Sequence, residues 1–249
     1  MTISHDFEIP SIGEGCVVTI GSFDGVHSGH RILLGRLTAM AKRKGAKAVV
    51  VTFDPHPRIA MGRAEGMGLL TTIQERAMLL ADAGVDHTVV VHFNEEFRSQ
   101  SYEDFVRRSL VEQLGMVGMI VGYNHRLGSG SKGNYDSLLP LAQECGFEIE
   151  RVEQHLANCH KVSSTEVRMA IMSGDMSMAK ALLGQHYMVR DVANGGIIDV
   201  RNEHKLLPPD GLYEVEAECN DIIKPTTVRV SGRRLTIDAA LSGDVTIRF

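Results

Sequence analysis

Up to residue 186, short and continuous apolar runs alternate with longer stretches in which apolar residues recur every three or four positions. Continuous runs are typical of strands covered on both faces, and the longer spacing is typical of amphipathic helices. The predicted strands are 17–20, 48–53, 88–93, 119–121 and 147–152. Capping signals such as Thr72 with Glu75 and Ser101 with Asp104 start helices between them. The alternation predicts an α/β fold with a parallel sheet.

The pattern changes at Tyr187, where apolar and polar residues begin to alternate one by one. The predicted strands here are 212–218, 227–230, 235–239 and 245–249, separated by turns such as Ser231-Gly232. This pattern predicts a small antiparallel β module. Because a module of this size is marginal alone, we expect it to pack on the first domain. The predicted domains are therefore 1–186 and 187–249.

The stretch VVTIGSFDGVHSGHRILLGRL, residues 17–37, runs from a strand through a glycine-rich turn into a helix. Gly21, Gly25 and Gly29 allow a sharp turn and a close approach to a ligand. The helix start offers unpaired N–H groups to an anion, and His27 and His30 would face a phosphate there. The pattern indicates a phosphate site.

A second stretch, VSSTEVR at 162–168, places hydroxyl groups at a predicted helix start. Ser163, Ser164 and Thr165 offer hydroxyl and backbone donors, and Arg168 follows one turn later with a guanidinium suited to bidentate phosphate binding. Taken alone, this stretch fits an ordinary capped helix equally well.

Four motifs together resemble one family. GSFDGVHSGH resembles the HxGH signature of the nucleotidyltransferase superfamily, and its FDGVH resembles the FMN adenylyltransferase (FAD synthetase) branch. VSSTEVR resembles the ISSTxIR motif, TFDPHP resembles TFxPHP, and VGYNHRLGSGSKGN resembles VGxxFRFGxxxxG. The resemblance extends over residues 17 to roughly 187 and implies a Rossmann-like nucleotidyltransferase domain.

The resemblance implies that the FMN phosphate attacks the α-phosphorus of ATP, giving FAD and pyrophosphate, with Mg²⁺ accompanying ATP. It assigns catalytic roles to His27, His30 and Arg168. The residues it assigns to nucleotide binding are Gly21, Phe23, Asp24, Gly25, Gly29, Asn124, Arg126, Ser163, Ser164 and Thr165. Those it places toward the flavin are Asp54, Pro55, His56 and Pro57. The attacking phosphate is already ionised, so positioning and charge stabilisation suffice without a general base.

The chain departs from the family at two places. His125 and Leu127 stand where the family carries aromatic residues, which puts ligand affinity in doubt. Bacterial members also usually continue into a riboflavin kinase barrel with a PTAN motif, which this sequence lacks. Residues 207–213, LPPDGLY, still resemble a later part of that barrel. We therefore expect a shortened riboflavin kinase-like module without kinase activity.

Net charge, cysteine spacing and the N-terminal sequence indicate which partners and which compartment to expect. A net charge of −5 argues against a general nucleic-acid or anionic-membrane binder. Cys16, Cys145, Cys159 and Cys219 lie far apart, without ligand spacing for zinc, which favours free thiols and a cytoplasmic protein. The N-terminal sequence has no targeting pattern, and no apolar run approaches a membrane span. The methionines at 169, 172, 176 and 178 are predicted to fill the core.

Two alternatives to an FMN adenylyltransferase stay open. One is a related nucleotidyltransferase with another phosphorylated substrate, and the other is a non-catalytic binder of flavin or nucleotide. FDGVH, TFDPHP and the kinase-like tail favour an FMN adenylyltransferase over a nucleotidyltransferase with another substrate. The two intact phosphate motifs disfavour a binder. The sequence leaves the oligomeric state and the order of substrate binding open.

Overall fold

A computed structural model describes residues 1–7, 15–63, 66–153, 156–157, 160–238 and 240–249. The chain divides into two compact units, each assembled from several stretches. The first contains Met1–Phe23, Gly29–Ala64 and Ala77–His155, and the second contains Asp24–Ser28, Glu65–Arg76 and Leu156–Phe249. The predicted boundary between residues 186 and 187 stays a prediction.

The first unit is built on a six-stranded sheet in which every neighbouring pair is parallel. Its strands are β1 Thr2–His5, β2 Cys16–Ile20, β3 Lys47–Asp54, β4 His87–His92, β5 Met116–Gly122 and β6 Glu148–Val152, in the spatial order β1-β4-β3-β2-β5-β6. All of β2 and most of β3 are buried, as their continuous apolar runs require. The predicted α/β fold with a parallel sheet is confirmed.

The helices that follow these strands are α1 Ser28–Lys44, α2 Pro57–Ala60, α3 Ile73–Asp82, α4 Glu95–Ser99, α5 Tyr102–Asp104 and α6 Tyr135–Cys145. A π-helix, Phe105–Gln113, continues α5, and a 3₁₀ turn covers Ser129–Ser131. The predicted capping box of α3 is present: Thr72 N donates to Glu75 Oε2 at 2.8 Å, and Glu75 N donates to Thr72 Oγ1 at 3.2 Å.

The second unit holds a short ribbon, two helices and a closed antiparallel barrel. The ribbon strands are β7 Leu156–Ala157 and β8 His160–Lys161, and the helices are α7 Ser164–Met172 and α8 Met176–Leu183. The barrel strands are β9 Met188–Asn194, β10 Ile197–Asp199, β11 Gly211–Cys219, β12 Ile222–Ser231, β13 Arg234–Ile237 and β14 Gly243–Arg248, in the order β10-β13-β12-β11-β14-β9. The predicted antiparallel β module is confirmed.

The helix predicted to start near Ser163 is α7, and a second helix follows it. The chain turns at Gly174 with φ of 79°, and Asp175 then caps α8 by accepting from Met178 N at 2.8 Å. The core prediction for the methionines is wrong for three of them: Met169 and Met172 are 57% exposed, and Met178 is 50% exposed.

Some predictions concern what the chain lacks. Within the described ranges, no helix is both long and apolar enough to cross a membrane. Cys16, Cys145 and Cys219 are free thiols, and burial raises the pKa of Cys16 to about 12. Cys159 lies outside the described residues.

Candidate functional site

The turn that follows β2 has an unusual backbone. Between Gly21 and the first residue of α1, positive φ angles occur at Phe23 (47°), Gly25 (86°) and Val26 (41°). Side chains with a Cβ rarely adopt this conformation, and it persists only where the surroundings impose it. Phe23 and Val26 are both buried, so packing holds the strained backbone in place.

Asp24 lies at the centre of this turn with only 1% of its surface exposed. Its carboxylate accepts hydrogen bonds from Leu70 N at 3.0 Å, Thr71 N at 2.8 Å and Thr71 Oγ1 at 2.9 Å. It also pairs with Arg168 and lies 3.9 Å from an Arg76 nitrogen. Burial would raise the pKa of Asp24, but the two arginine charges and the two N–H groups outweigh burial and lower it. Asp24 therefore stays ionised and ties the turn to residues 70–71.

Gly25 is tied to the same segment. Its N–H donates to Thr71 Oγ1 at 3.1 Å, while the Thr71 hydroxyl donates to Asp24. A Cβ at Gly25 would lie 2.7 Å from Leu70 Cδ1 and 3.2 Å from Leu70 Cβ. Both the positive φ and this close approach favour glycine.

His27 immediately precedes α1 and is 7% exposed. Burial lowers its pKa to about 4, because it outweighs a backbone hydrogen bond and the Asp24 charge, which both raise the pKa; the Arg168 charge adds a smaller lowering. The imidazole is therefore neutral near pH 7 and has one N–H to donate. Ser28, the first residue of α1, donates to Leu182 O at 3.0 Å and so anchors the helix start.

His30 belongs to the first turn of α1 and lies in the first unit. Its ring packs against Phe23, with centroids 5.0 Å apart and planes tilted by 57°. The Phe23 ring also covers Gly21, where a Cβ would lie 3.1 Å from Phe23 Cε2. Gly29 is a helical residue without a positive φ, so it is not needed for the turn conformation.

The start of α7 meets the Asp24 turn within the second unit. Ser163 caps the helix by accepting from Glu166 N at 3.4 Å, and Ser164 Oγ donates to Asp24 O at 3.0 Å. Arg168 is 9% exposed; its Nε donates to Gly68 O at 2.7 Å and its Nη2 to the Asp24 carboxylate. Thr165 is exposed. The two predicted phosphate motifs therefore meet through Asp24, Ser164 and Arg168. Two of the nitrogen atoms of Arg168 already have protein partners, which are Gly68 O and the Asp24 carboxylate.

A cavity of about 580 Å³ opens in the first unit beyond the carboxyl ends of β3, β4 and β5. Phe53, Phe93 and Phe97 line it, with the Phe53 and Phe93 ring centroids 5.5 Å apart and those of Phe93 and Phe97 5.7 Å apart. Arginines at 63, 98 and 126 also line it. Glu95 adds one acidic side chain to the lining. A cavity of this size that combines an aromatic cluster with a few charged groups suits a small-molecule ligand.

The cavity gathers part of the predicted site. Pro57 and Arg126 line it, as does Leu127, one of the two positions that depart from the family pattern. His56 is buried and its Nδ1 accepts from Arg58 N at 3.2 Å. Asp54 ends β3, and Pro55 and Asn124 lie in the loops after β3 and β5; none of these three predicted residues lines the cavity.

Burial also affects His125, whose pKa falls to about 4 with a smaller contribution from the Arg126 charge. Its ring is therefore neutral near pH 7. A neutral imidazole is smaller and more polar than the aromatic ring that the family pattern places here.

Sequence reasoning missed the residues that support the turn. Thr71 and Arg76 contact Asp24, and Lys205 forms a fully buried ion pair with Glu75. Glu75 was identified only as a helix cap. Nothing in the spacing of these residues connects them, because they are brought together by the tertiary fold.

No group of three His, Cys, Asp or Glu side chains suited to holding a metal ion occurs among the residues that the structure describes.

Comparisons with known proteins agree with the motifs. The sequence model of the family described as FAD synthetase matches residues 9–166. A bifunctional riboflavin kinase/FMN adenylyltransferase from Escherichia coli strain K12 is 31% identical over 213 residues, covering 82% of this chain and 68% of the relative. Its namesake from Bacillus subtilis strain 168 is 30% identical over 220 residues with the same coverage. A third, from Pseudomonas fluorescens, is 35% identical over 175 residues, covering 70% of this chain and 56% of the relative.

Among solved structures, a crystal structure described as a macrolide-efflux protein from Streptococcus pneumoniae matches with a TM-score of 0.83. The match covers 99% of this chain and 89% of that one at 21% identity, so it shows a shared fold. The family match, in contrast, spans more than half of the chain and includes the HxGH turn, TFDPHP and the glycine-rich loop. The chain therefore belongs to the FAD synthetase family, as its motifs predict.

Proposed function

We propose that the protein transfers AMP from ATP to FMN, giving FAD and pyrophosphate, and that its barrel does not phosphorylate riboflavin. The observation that carries the proposal is the turn of residues 21–27, which is buried from Phe23 to His27 and lies within the region matching the FAD synthetase family. It leads into α1, whose first N–H groups and dipole favour a phosphate.

In the proposed reaction, an oxygen of the FMN phosphate forms a bond to the α-phosphorus of ATP. The bond between that phosphorus and the β-bridging oxygen breaks, and its electron pair leaves with pyrophosphate. His27 is neutral and donates one hydrogen bond to the charge that builds on the phosphoryl oxygens, and His30 contacts the triphosphate from the same helix start. Preorganised donors of this kind lower the barrier without a proton transfer.

The remaining residues of the two phosphate motifs shape the site. Gly21, Phe23, Asp24 and Gly25 set the path of the turn, and Asp24 does so through its bonds to residues 70–71. Gly29 is proposed to contact the nucleotide from the first turn of α1. Ser163, Ser164, Thr165 and Arg168 are proposed to hold the leaving pyrophosphate. For Arg168, this contact would use the part of the guanidinium that is not engaged by Gly68 and Asp24.

The cavity of the first unit is proposed to bind FMN. The aromatic wall suits the isoalloxazine ring, and the arginines suit the FMN phosphate. Asp54, at the end of β3, and Pro55, His56 and Pro57, which lead into α2, are proposed to lie toward the flavin. Asn124 and Arg126 are proposed to contact nucleotide from the loop after β5.

Mg²⁺ is proposed to enter as part of the ATP substrate. Mg²⁺ is commonly bound through substrate phosphates and water with few protein ligands. The described residues fit this mode, because the buried Asp24 carboxylate is already engaged by five neighbouring donor groups and offers no open face for a resident ion.

Product analysis tests the proposal. Purified protein is incubated with Mg-ATP and either FMN or riboflavin, and the flavins are separated chromatographically. FAD should form from FMN, and no FMN should form from riboflavin. FMN binding without turnover would instead support a binder, and AMP transfer only to another phosphorylated acceptor would support a different nucleotidyltransferase.

A further inference from the structure

Lys205, in the loop between β10 and β11, is completely buried, which is rare for lysine unless the charge is paired. Its ammonium group donates to Glu75 Oε2 at 2.7 Å, Leu70 O at 2.6 Å and Met188 O at 2.7 Å. It also lies 4.5 Å from the centroid of the Tyr187 ring. All three N–H groups are used, so the side chain has one defined position.

The backbone around Lys205 is joined to the same segment. Leu69 N donates to His204 O at 2.6 Å, and Leu206 N donates to Leu69 O at 2.8 Å. Arg233 also holds this loop, because its guanidinium donates to Lys205 O at 3.0 Å and to Asn202 O at 2.5 Å. Residues 69–70 are thus held to the barrel module by both backbone and side-chain hydrogen bonds.

Residues 70 and 71, next to the bonds from the barrel module, also form the hydrogen bonds to the turn that contains Asp24 and Gly25. The Leu70 carbonyl accepts from Lys205, while the Leu70 N–H donates to Asp24. The neighbouring Thr71 donates to Asp24 and accepts from Gly25 N. Leu70 therefore connects Lys205 of the barrel module, which bonds to its carbonyl, with the Asp24 carboxylate, which bonds to its N–H.

Glu75 completes the connection. Its Oε2 accepts from Lys205 and from Thr72 N, and its Oε1 accepts from Arg190 N of β9 at 2.8 Å. Replacing such a buried pair by uncharged groups of similar size is often neutral for stability, so stability alone does not account for it. A defined geometry is the alternative use.

We propose that Lys205 is a positioning residue for AMP transfer, which acts through Glu75 and Leu70 to fix the Asp24–Gly25 turn beside His27. This inference rests on the proposed function. It gives the barrel module a role in adenylyl transfer that does not need kinase activity. A displacement of reacting groups by about 1 Å can cost about 10²-fold in rate, so loosening Leu70 should reduce kcat.

The test removes the pair without leaving a buried charge. In the double variant Glu75→Gln/Lys205→Met, kcat for FAD formation should fall at least ~10-fold while KM for FMN changes less than ~2-fold, because the flavin cavity is untouched. The matched control is Asp199→Asn/Arg234→Met, which removes an exposed ion pair from the same barrel and should keep wild-type kcat and KM. A folded Glu75→Gln/Lys205→Met variant with wild-type kcat overturns the proposal.

A second variant decides the matter if the double variant does not fold. Arg233 is exposed, and Arg233→Gln removes its bonds to the Lys205 loop without burying anything new. Hydrogen exchange at the Leu70 and Thr71 amides should accelerate at least ~10-fold in this variant, and kcat should fall with it. Unchanged exchange with unchanged kcat contradicts the inference. Absence of FAD formation by the wild type would refute the proposed function separately, and the exchange rates would still report whether the loop holds these amides.

Discussion

Asp24→Asn is the substitution that most directly probes the buried turn. The change keeps the shape of the side chain and removes its charge. The carboxylate accepts three hydrogen bonds from Leu70 and Thr71 and pairs with Arg168. An asparagine has one acceptor oxygen, so its NH₂ group would face a donor on one side.

The expected loss of stability follows from the two buried arginines that the substitution leaves without the Asp24 charge. Arg168 and Arg76 are 9% and 2% exposed, and both would lose a charged partner. Breaking a buried ion pair by removing one partner costs about 3–5 kcal/mol. Because native domains are stable by only about 5–15 kcal/mol, Asp24→Asn should remove a large part of the free energy of unfolding.

Urea unfolding followed by far-ultraviolet circular dichroism measures this, since the chain has no tryptophan to report by fluorescence. The control is Asp199→Asn, which removes an exposed carboxylate of the barrel and should leave the urea midpoint unchanged. An Asp24→Asn variant within ~1 kcal/mol of the wild type would refute the view that this carboxylate holds the turn together.

Three further predictions concern the candidate site. His30→Ala should lower kcat at least ~10²-fold while the circular dichroism stays unchanged, because losing one preorganised donor costs about 2.7–4 kcal/mol of transition-state stabilisation. Unchanged turnover would show that His30 is not part of the site. Arg168→Lys should lower kcat at least ~10-fold in steady-state assays, because an ammonium cannot contact Gly68 and Asp24 with the same fork and also reach a phosphate; full activity would make a bidentate guanidinium unnecessary. The free energy of unfolding should fall by up to ~3 kcal/mol as pH falls from 6.5 to about 4, because His27 takes up a proton at a higher pH in the unfolded state than in the folded state. Urea midpoints across this range should fall less steeply in His27→Gln, and an identical slope would show that the imidazole is not buried in its neutral form.

Most strands of the first unit could be predicted, because each of them is a continuous apolar run next to a stretch with helical spacing. The strands predicted at 48–53 and 88–93 correspond to Lys47–Asp54 and His87–His92. β1 was missed because it is a four-residue edge strand without an apolar run, and β9 and β10 were missed because their pattern is interrupted by Asn194-Gly195-Gly196.

The phosphate motifs were recognisable because residue type and spacing together carry the chemistry. Their supporting contacts were not recognisable. Lys205 lies 135 positions from Leu70 along the chain, and no local pattern joins them. The role of Asp24 likewise depends on Thr71 and Arg168, which only the tertiary fold brings to it.

Following the phosphorus atoms of ATP distinguishes AMP transfer to FMN from phosphorylation of riboflavin. Wild-type protein is incubated with FMN and ATP labelled at the α-phosphorus, and in parallel with riboflavin and ATP labelled at the γ-phosphorus. We expect the α-label to appear in FAD and no γ-label to appear in FMN. Failure of the α-label to enter FAD would contradict the assignment of this site to AMP transfer, and γ-label in FMN would contradict a barrel without kinase activity.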